Sequence, residues 1–133
     1  MAVTEIIDVR TTTRAETIDI TSLVRAAVKR SGIDDGIAVV FCKHTTAGLT
    51  IQENNDPAVK AALIAHLAQA VPHGAGAVSA ATNADAHVKS SLIGASLSLV
   101  VEAGKPVLGT WQAIYFCEFD GPRNRQVLVK VVG

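Results

Sequence analysis

Apolar and polar residues alternate at the start of the chain, where Ile6, Asp8 and Arg10 interleave with other types. After a threonine-rich break, Ile18-Asp19-Ile20 alternates again. A period of two puts successive side chains on opposite faces of a strand, so the pattern predicts two strands and a hairpin around residues 11–15. The period then lengthens. Leu23, Val24, Ala27 and Val28 form an apolar stripe at helical spacing, with Thr21 or Ser22 as its cap and Gly32 as its stop. Residues 36–43 are a continuous Val-rich run, which predicts a strand buried on both faces. Residues 49–54 read as its hairpin partner.

Asp56-Pro57 predicts a helix start, because aspartate accepts N–H bonds as a cap and proline fits the first helical position. Val59, Leu63 and Leu67 repeat at i+4 and point to the core, with His66 on the flank. Residues 71–81 are rich in Gly and Ala and read as a flexible loop. Asn83 caps a third helix through Leu92. Residues 97–101 resemble a strand and Gly104-Lys105-Pro106 a turn. Residues 112–119 and 126–132 read as an antiparallel hairpin turning at Asp120-Gly121-Pro122. The pattern predicts one α+β domain, residues 1–133, a mostly antiparallel or mixed sheet with about three helices packed on it.

Composition narrows this picture. Of the residues, 49% are apolar but only 4% aromatic, so the core must be Val, Ile, Leu and Ala. Twelve basic residues balance twelve acidic ones. Such neutrality argues against a nucleic-acid partner, which calls for a basic excess, yet allows a local anion pocket and self-association. Cys42 and Cys117 sit in apolar runs with no CxxC pair and read as buried thiols. The N-terminal residues lack a basic region followed by an apolar stretch, and no run is long enough to span a bilayer, so the expected location is cytoplasmic with no membrane partner.

Four stretches carry candidate chemistry. Lys43-His44-Thr45-Thr46 brings a cation, an imidazole and two hydroxyls to the end of a buried strand, a set suited to an oxyanion or a metal. Glu53 and Asn54 lie open before the Asp56 cap. On the third helix Asn83, His87 and Ser91 share one stripe beside the apolar stripe Ala84, Val88 and Leu92, which places His87 half-hidden at the edge of the buried face. Asp85 and Lys89 read as a surface ion pair. In the last stretch, Thr110 and Gln112 flank Trp111, whose expected place is the core. Arg123 and Arg125 point to one side, suited to a phosphate or carboxylate, or else to partnering Glu118 and Asp120. His44, His73 and His87, with Glu118 or Asp120, complete a metal site if they converge. No phosphate-loop, dinucleotide, zincin or hydrolase motif is present.

Three long motifs resemble the YjbQ family: His44-Thr45-Thr46-Ala47-Gly48-Leu49-Thr50-Ile51-Gln52-Glu53-Asn54 with Asp56-Pro57, Asn83 through Leu92 with Gly94, and Leu108-Gly109-Thr110-Trp111-Gln112 with Glu118 through Arg123 and Arg125. The resemblance implies an α+β homotrimer and the activity of a secondary thiamine-phosphate synthase. Such an enzyme joins a hydroxymethylpyrimidine diphosphate to a thiazole phosphate and releases pyrophosphate. It would act on small phosphorylated anions, with Lys43, Arg123 and Arg125 as cations and Thr45, Thr46 and Thr110 as neutral donors. His44, His87 and Glu118 are the expected catalytic groups. Glu53, Asn54, Asn83, Gln112 and Asp120 join the substrate site, and a divalent ion, zinc or magnesium, is expected on His44, His87 and His73. A trimeric anion or metal binder without turnover and a metal-dependent hydrolase are the alternative readings.

Overall fold

Strand pairing divides the chain between two antiparallel sheets in the computed structural model, which describes residues 1–74 and 82–133. The first sheet contains β1 (Ala2–Arg10), β3 (Gly36–Cys42), β5 (Ser96–Glu102), the short β6 (Lys105–Pro106) and β8 (Asn124–Val132), in the order β1-β8-β3-β5-β6. The second contains β2 (Glu16–Asp19), β4 (Ala47–Glu53) and β7 (Gln112–Glu118), in the order β2-β7-β4. Three helices complete the fold: α1 (Thr21–Ser31), α2 (Pro57–Ala70) and α3 (Ala84–Ile93). This is the expected α+β architecture. The core lies between the sheets and under α1, and is built largely of Val, Ile, Leu and Ala around Phe116. The reading of residues 71–81 as a loop falls mostly outside the described residues. Among the described residues no helix is long and apolar enough to cross a membrane.

None of the three expected hairpins forms. β1 pairs with β8 and β2 with β7. β3 pairs with β5 and β8, while β4 pairs with β7. Each supposed hairpin turn is instead a crossing from one sheet to the other. Alternation identifies a strand but carries no information about its partner.

Nor is β3 buried on both faces. Ala38, Val40 and Cys42 are buried, whereas Ile37, Val39 and Phe41 are 56%, 38% and 41% exposed on the outer face. The apolar run is a one-sided strand whose outward positions are also apolar.

α1 follows the sequence closely. Val24, Ala27 and Val28 are buried and Gly32 ends the helix in the left-handed conformation, although Leu23 is exposed. No side chain caps its start. The Thr21 hydroxyl accepts the Ile114 N–H instead, tying α1 to the second sheet. Asp56 caps α2 as expected, accepting the Ala58 N–H with Pro57 in the first turn. α2 packs lightly, with Leu63, Ile64 and Leu67 half-buried against Ala86, Cys117 and Phe119.

α3 is rotated relative to the expected orientation. Asp85, Ala86, Lys89 and Ser90 face inward, while Val88 and Leu92 are exposed. Asn83 sits at the cap position without capping through its side chain. The end of α3 is held against β4 at Gly48, where the Leu49 N–H donates to the Gly94 carbonyl at 3.0 Å. A Cβ at Gly48 would lie 2.8 Å from that same carbonyl oxygen and 3.0 Å from Ile93 Cγ2. Gly48→Ala is expected to cost roughly 1–3 kcal/mol through overpacking against backbone. A urea midpoint unchanged from wild type would show that the contact is slack.

Candidate functional site

The three crossings, residues 11–15, 43–46 and 119–123, lie at the same end of the two sheets, because Arg10 pairs with Asn124, Cys42 with Val127, and Glu118 with both Glu16 and Ala47. One buried ion pair ties them together. Glu118 is 0% exposed and Arg125 4%. Arg125 Nε donates to Glu118 Oε1 at 2.8 Å and Nη2 donates to Glu118 Oε2. The same Nη2 donates to the Thr46 hydroxyl at 2.9 Å. The Thr11 hydroxyl donates to Glu118 Oε1 at 2.7 Å and accepts the Arg123 N–H at 2.8 Å. Glu118 Oε2 also accepts the Phe119 and Asp120 amides, each at 3.0 Å.

Burial alone would raise the Glu118 pKa. The Arg125 guanidinium, the Asp120 amide and the Thr11 hydroxyl outweigh it and hold the carboxyl below its ordinary value. Glu118, expected among the catalytic groups, is thus an ionised anchor whose two carboxylate oxygens are held by these donors. Arg125 is first its partner. Among the described residues only its Nη1 lacks a hydrogen bond, and the residue lines the adjoining pocket.

That pocket, of about 360 Å³, opens between the crossings and α3. It brings His44 and His87 together, and Lys43, Thr45, Asn83 and Arg123 also face it. Lys43 and Thr45 are exposed and their side chains carry no hydrogen bond among the described residues. His44 is half-buried, and its Nε2 accepts the Gln126 N–H at 2.9 Å. In the neutral ring the proton therefore sits on Nδ1, and the ring is a donor rather than a base. Burial and the Arg125 guanidinium push its pKa down, with Lys43 adding to them against the pull of Glu118. His87 is exposed rather than half-hidden, since α3 turns its other face inward. Asp120 Oδ2 accepts from Asn83 Nδ2 and Arg123 Nη2, both at 3.1 Å, which lowers the Asp120 pKa against the effect of burial. Thr46 lines the pocket but is buried, its hydroxyl held by Arg125.

Four expected site residues lie elsewhere. Glu53, Asn54, Thr110 and Gln112 sit at the opposite end of β4 and β7, where Glu53 pairs with Gln112. There Asn54, Thr110 and Gln112 line a separate cavity of about 380 Å³ with Asp19 and Arg25. Trp111, expected in the core, is 56% exposed beside it.

His73 is not beside His44 and His87 in the pocket. Its Nδ1 lies 2.9 Å from Asp85 Oδ1. Among the described residues no group of three or more His, Cys, Asp or Glu side chains is arranged to hold a metal. With the Nε2 lone pair of His44 taken by an amide and His73 engaged by Asp85, the three histidines do not fit a ligand set.

The pair read as a surface contact, Asp85 and Lys89, is buried, with Nζ 2.9 Å from Oδ2. Arg14 also donates to both Asp85 oxygens, at 3.3 and 3.1 Å. These cations, with His73, hold the Asp85 carboxyl far below the usual range despite burial. The hub fastens α3, and so His87, to the first crossing. Sequence reading passed over Arg14 and Thr11; the i,i+4 spacing of Asp85 and Lys89 was the only signal near them. The two thiols are buried as expected, and burial pushes Cys117 up to about 12 and raises Cys42.

The profile of the family described as UPF0047 protein, YjbQ-like, matches residues 5–133. A UPF0047 protein of Methanocaldococcus jannaschii is 47% identical over 125 residues, covering 94% of this chain and 91% of the relative. The UPF0047 protein YugU of Bacillus subtilis is 46% identical over 134 residues, covering 96% and 97%. Among solved structures, a YjbQ/UPF0047 protein of Clostridium acetobutylicum superposes with a TM-score of 0.91 at 48% identity, covering 96% of this chain and 99% of the other. A Sulfolobus solfataricus protein superposes with a TM-score of 0.94 at 30% identity, covering 100% and 98%.

Glu118→Gln leaves Arg125 as a buried, uncompensated charge and is expected to cost about 3–5 kcal/mol. Because the folded pKa of Glu118 lies below its unfolded value, its contribution is present above the unfolded pKa and fades as pH falls through the folded one. The variant should therefore show a shallower acid limb in stability against pH. Parallel acid limbs in wild type and variant would contradict this linkage.

Proposed function

The chain belongs to the YjbQ-like UPF0047 family, and we propose that its crossing pocket binds the phosphate groups of a small metabolite and stabilises a departing pyrophosphate. The observation that carries this reading is the convergence of Lys43, Arg123 and the spare nitrogen of Arg125 on one polar cavity in a chain with no net charge. Thr45 and the Nδ1–H of His44 add neutral donors to the same wall. Cations and donors fixed in advance around a leaving diphosphate lower the barrier to its departure.

The reaction this suits is the one the family resemblance implies, secondary thiamine-phosphate synthesis. The bond from the pyrimidine methylene carbon to the diphosphate oxygen breaks, and pyrophosphate leaves with the electron pair. The lone pair of the thiazole ring nitrogen forms the new C–N bond. That nitrogen carries no proton to remove, so a His44 whose Nε2 is already occupied is no handicap. An anion-binding protein without turnover would use the same cations, and pyrophosphate binding without product formation identifies it.

We further propose that the working unit is a homotrimer. The outer face of the first sheet supports this, since Ile6, Ile37, Phe41, Val100 and Val132 all stand exposed on neighbouring strands. A patch of that kind calls for a cover. Near-zero net charge offers no electrostatic barrier to one.

Calorimetric titration with pyrophosphate tests the anion reading. Lys43→Ala and Arg123→Ala should each lose about 1.5–3 kcal/mol of binding. Formation of thiamine phosphate from the two substrates should fall with them. Equal affinity in all three proteins would remove the proposal. Light scattering tests the assembly, which should weigh three times the 13.8 kDa chain. Phe41→Asp should lower that mass, and a wild-type monomer at micromolar concentration would exclude the trimer.

A further inference from the structure

We infer that the crossing pocket is completed by a second copy of the chain, which lays Trp111, with Thr110 and Gln112, over the bound anion. The inference rests on the reading of the pocket as an anion site in an oligomer.

The candidate polar residues fall into two groups at opposite ends of one strand pair. Ala47 pairs with Glu118 beside the pocket, and Glu53 pairs with Gln112 at the far end, six residues along each strand. At about 3.3 Å per residue the two groups are some 20 Å apart. Backbone hydrogen bonds fix that register, so no movement within one chain brings them together.

Each end is unfinished in a complementary way. Every residue lining the pocket is polar or charged, so a ligand carrying an apolar ring would keep that ring in water. The far end has a polar cavity of its own and, beside it, one large aromatic side chain left uncovered. It presents the only tryptophan in the chain, 56% exposed, between side chains that face outward. An indole pairs a large apolar face with one N–H donor, and it is the side chain most often buried where two molecules meet.

A route for the contact is also visible. Phe41 and Lys43 are both exposed and lie two residues apart, so the uncovered apolar face of the first sheet runs up to the rim of the pocket. A neighbour covering that face would reach the pocket. Contacts that join one end of a molecule to the opposite end of the next are heterologous, and in a closed ring they give every pocket one neighbour. Three copies would form three identical pockets, each with one tryptophan from next door.

The single tryptophan supplies the readout. Pyrophosphate is titrated into the wild-type oligomer while calorimetry and tryptophan emission are followed together. The emission should change with the calorimetric midpoint. Binding by calorimetry with silent emission overturns the inference and leaves the anion site standing, whereas no binding at all removes both.

Mixed oligomers then decide whose tryptophan responds. Trp111→Phe has intact cations and no tryptophan, and the double variant Lys43→Ala/Arg123→Ala has the tryptophan and a disabled pocket. Each alone should give no emission change. Mixed oligomers, purified through a different tag on each chain, should regain it, because the tryptophan of one subunit then faces the working pocket of the other. Mixed oligomers that bind pyrophosphate with no emission change overturn the shared site. Light scattering on each variant separates loss of assembly from loss of response.

Discussion

The contact between Glu118 and Arg125 organises the end of the molecule where the three crossings and the polar pocket meet. Each residue by itself would be costly to bury, since a charge removed from water must recover its solvation from neighbouring groups. Here the recovery is complete on the carboxylate, which accepts from a guanidinium, a threonine hydroxyl and two amides. Those donors come from the first and third crossings and from the start of β8, and Arg125 donates onward to Thr46 in the second crossing. The pair therefore acts as a rivet through three strips of backbone. One nitrogen of the rivet remains unbonded among the described residues, on a residue that lines the pocket, so the group that fixes the scaffold also borders the cavity.

A second buried charge cluster works beside it. Asp85 gathers Arg14 and Lys89, with His73 alongside, and so fastens α3 to the first crossing. This explains why α3 turns a charged face inward and leaves Val88 and Leu92 outside. Glu118 and Asp85 thus neutralise buried cations internally, Asp120 pairs with Arg123 at the pocket, and Lys43 carries no such partner among the described residues. Net charge hides this division of labour, because a balanced total says nothing about which charges are already spent on each other.

The sequence was legible where a local rule has one physical outcome. Asp56-Pro57 starts a helix, Gly32 stops one, and Val24, Ala27 and Val28 face the core, because caps and stripes act within a few residues. His44 and His87 were nominated from their places at a strand end and a helix edge and from the motifs that hold them, and the pocket does hold both. The failures were of longer range. The apolar run of residues 36–43 and the pattern of residues 112–119 marked strands but not their partners, so crossings were read as turns. Trp111 was assigned to the core, whereas it lies just before β7, outside the strand, and is exposed. Asp85 and Lys89 looked like surface residues because burying two opposite charges together leaves the same i,i+4 pattern as exposing them. Of the two readings the sequence left open for Arg125, an anion site or a partnership with Glu118, the hydrogen bonds give the partnership.

The strand order of the first sheet has a consequence for how the protein is made. β8, the last strand in the chain, lies between β1, the first, and β3. Until β8 has left the ribosome, β1 lacks its partner and cannot join β3 in one sheet. Arg125 arrives on the same strand, so the rivet closes at the same late moment. Contacts that span the whole chain are slow to form, and apolar strand edges wait in the open meanwhile. Synthesis must therefore deliver β8 before the rivet that braces the pocket can close, and the crossings wait unfastened until then.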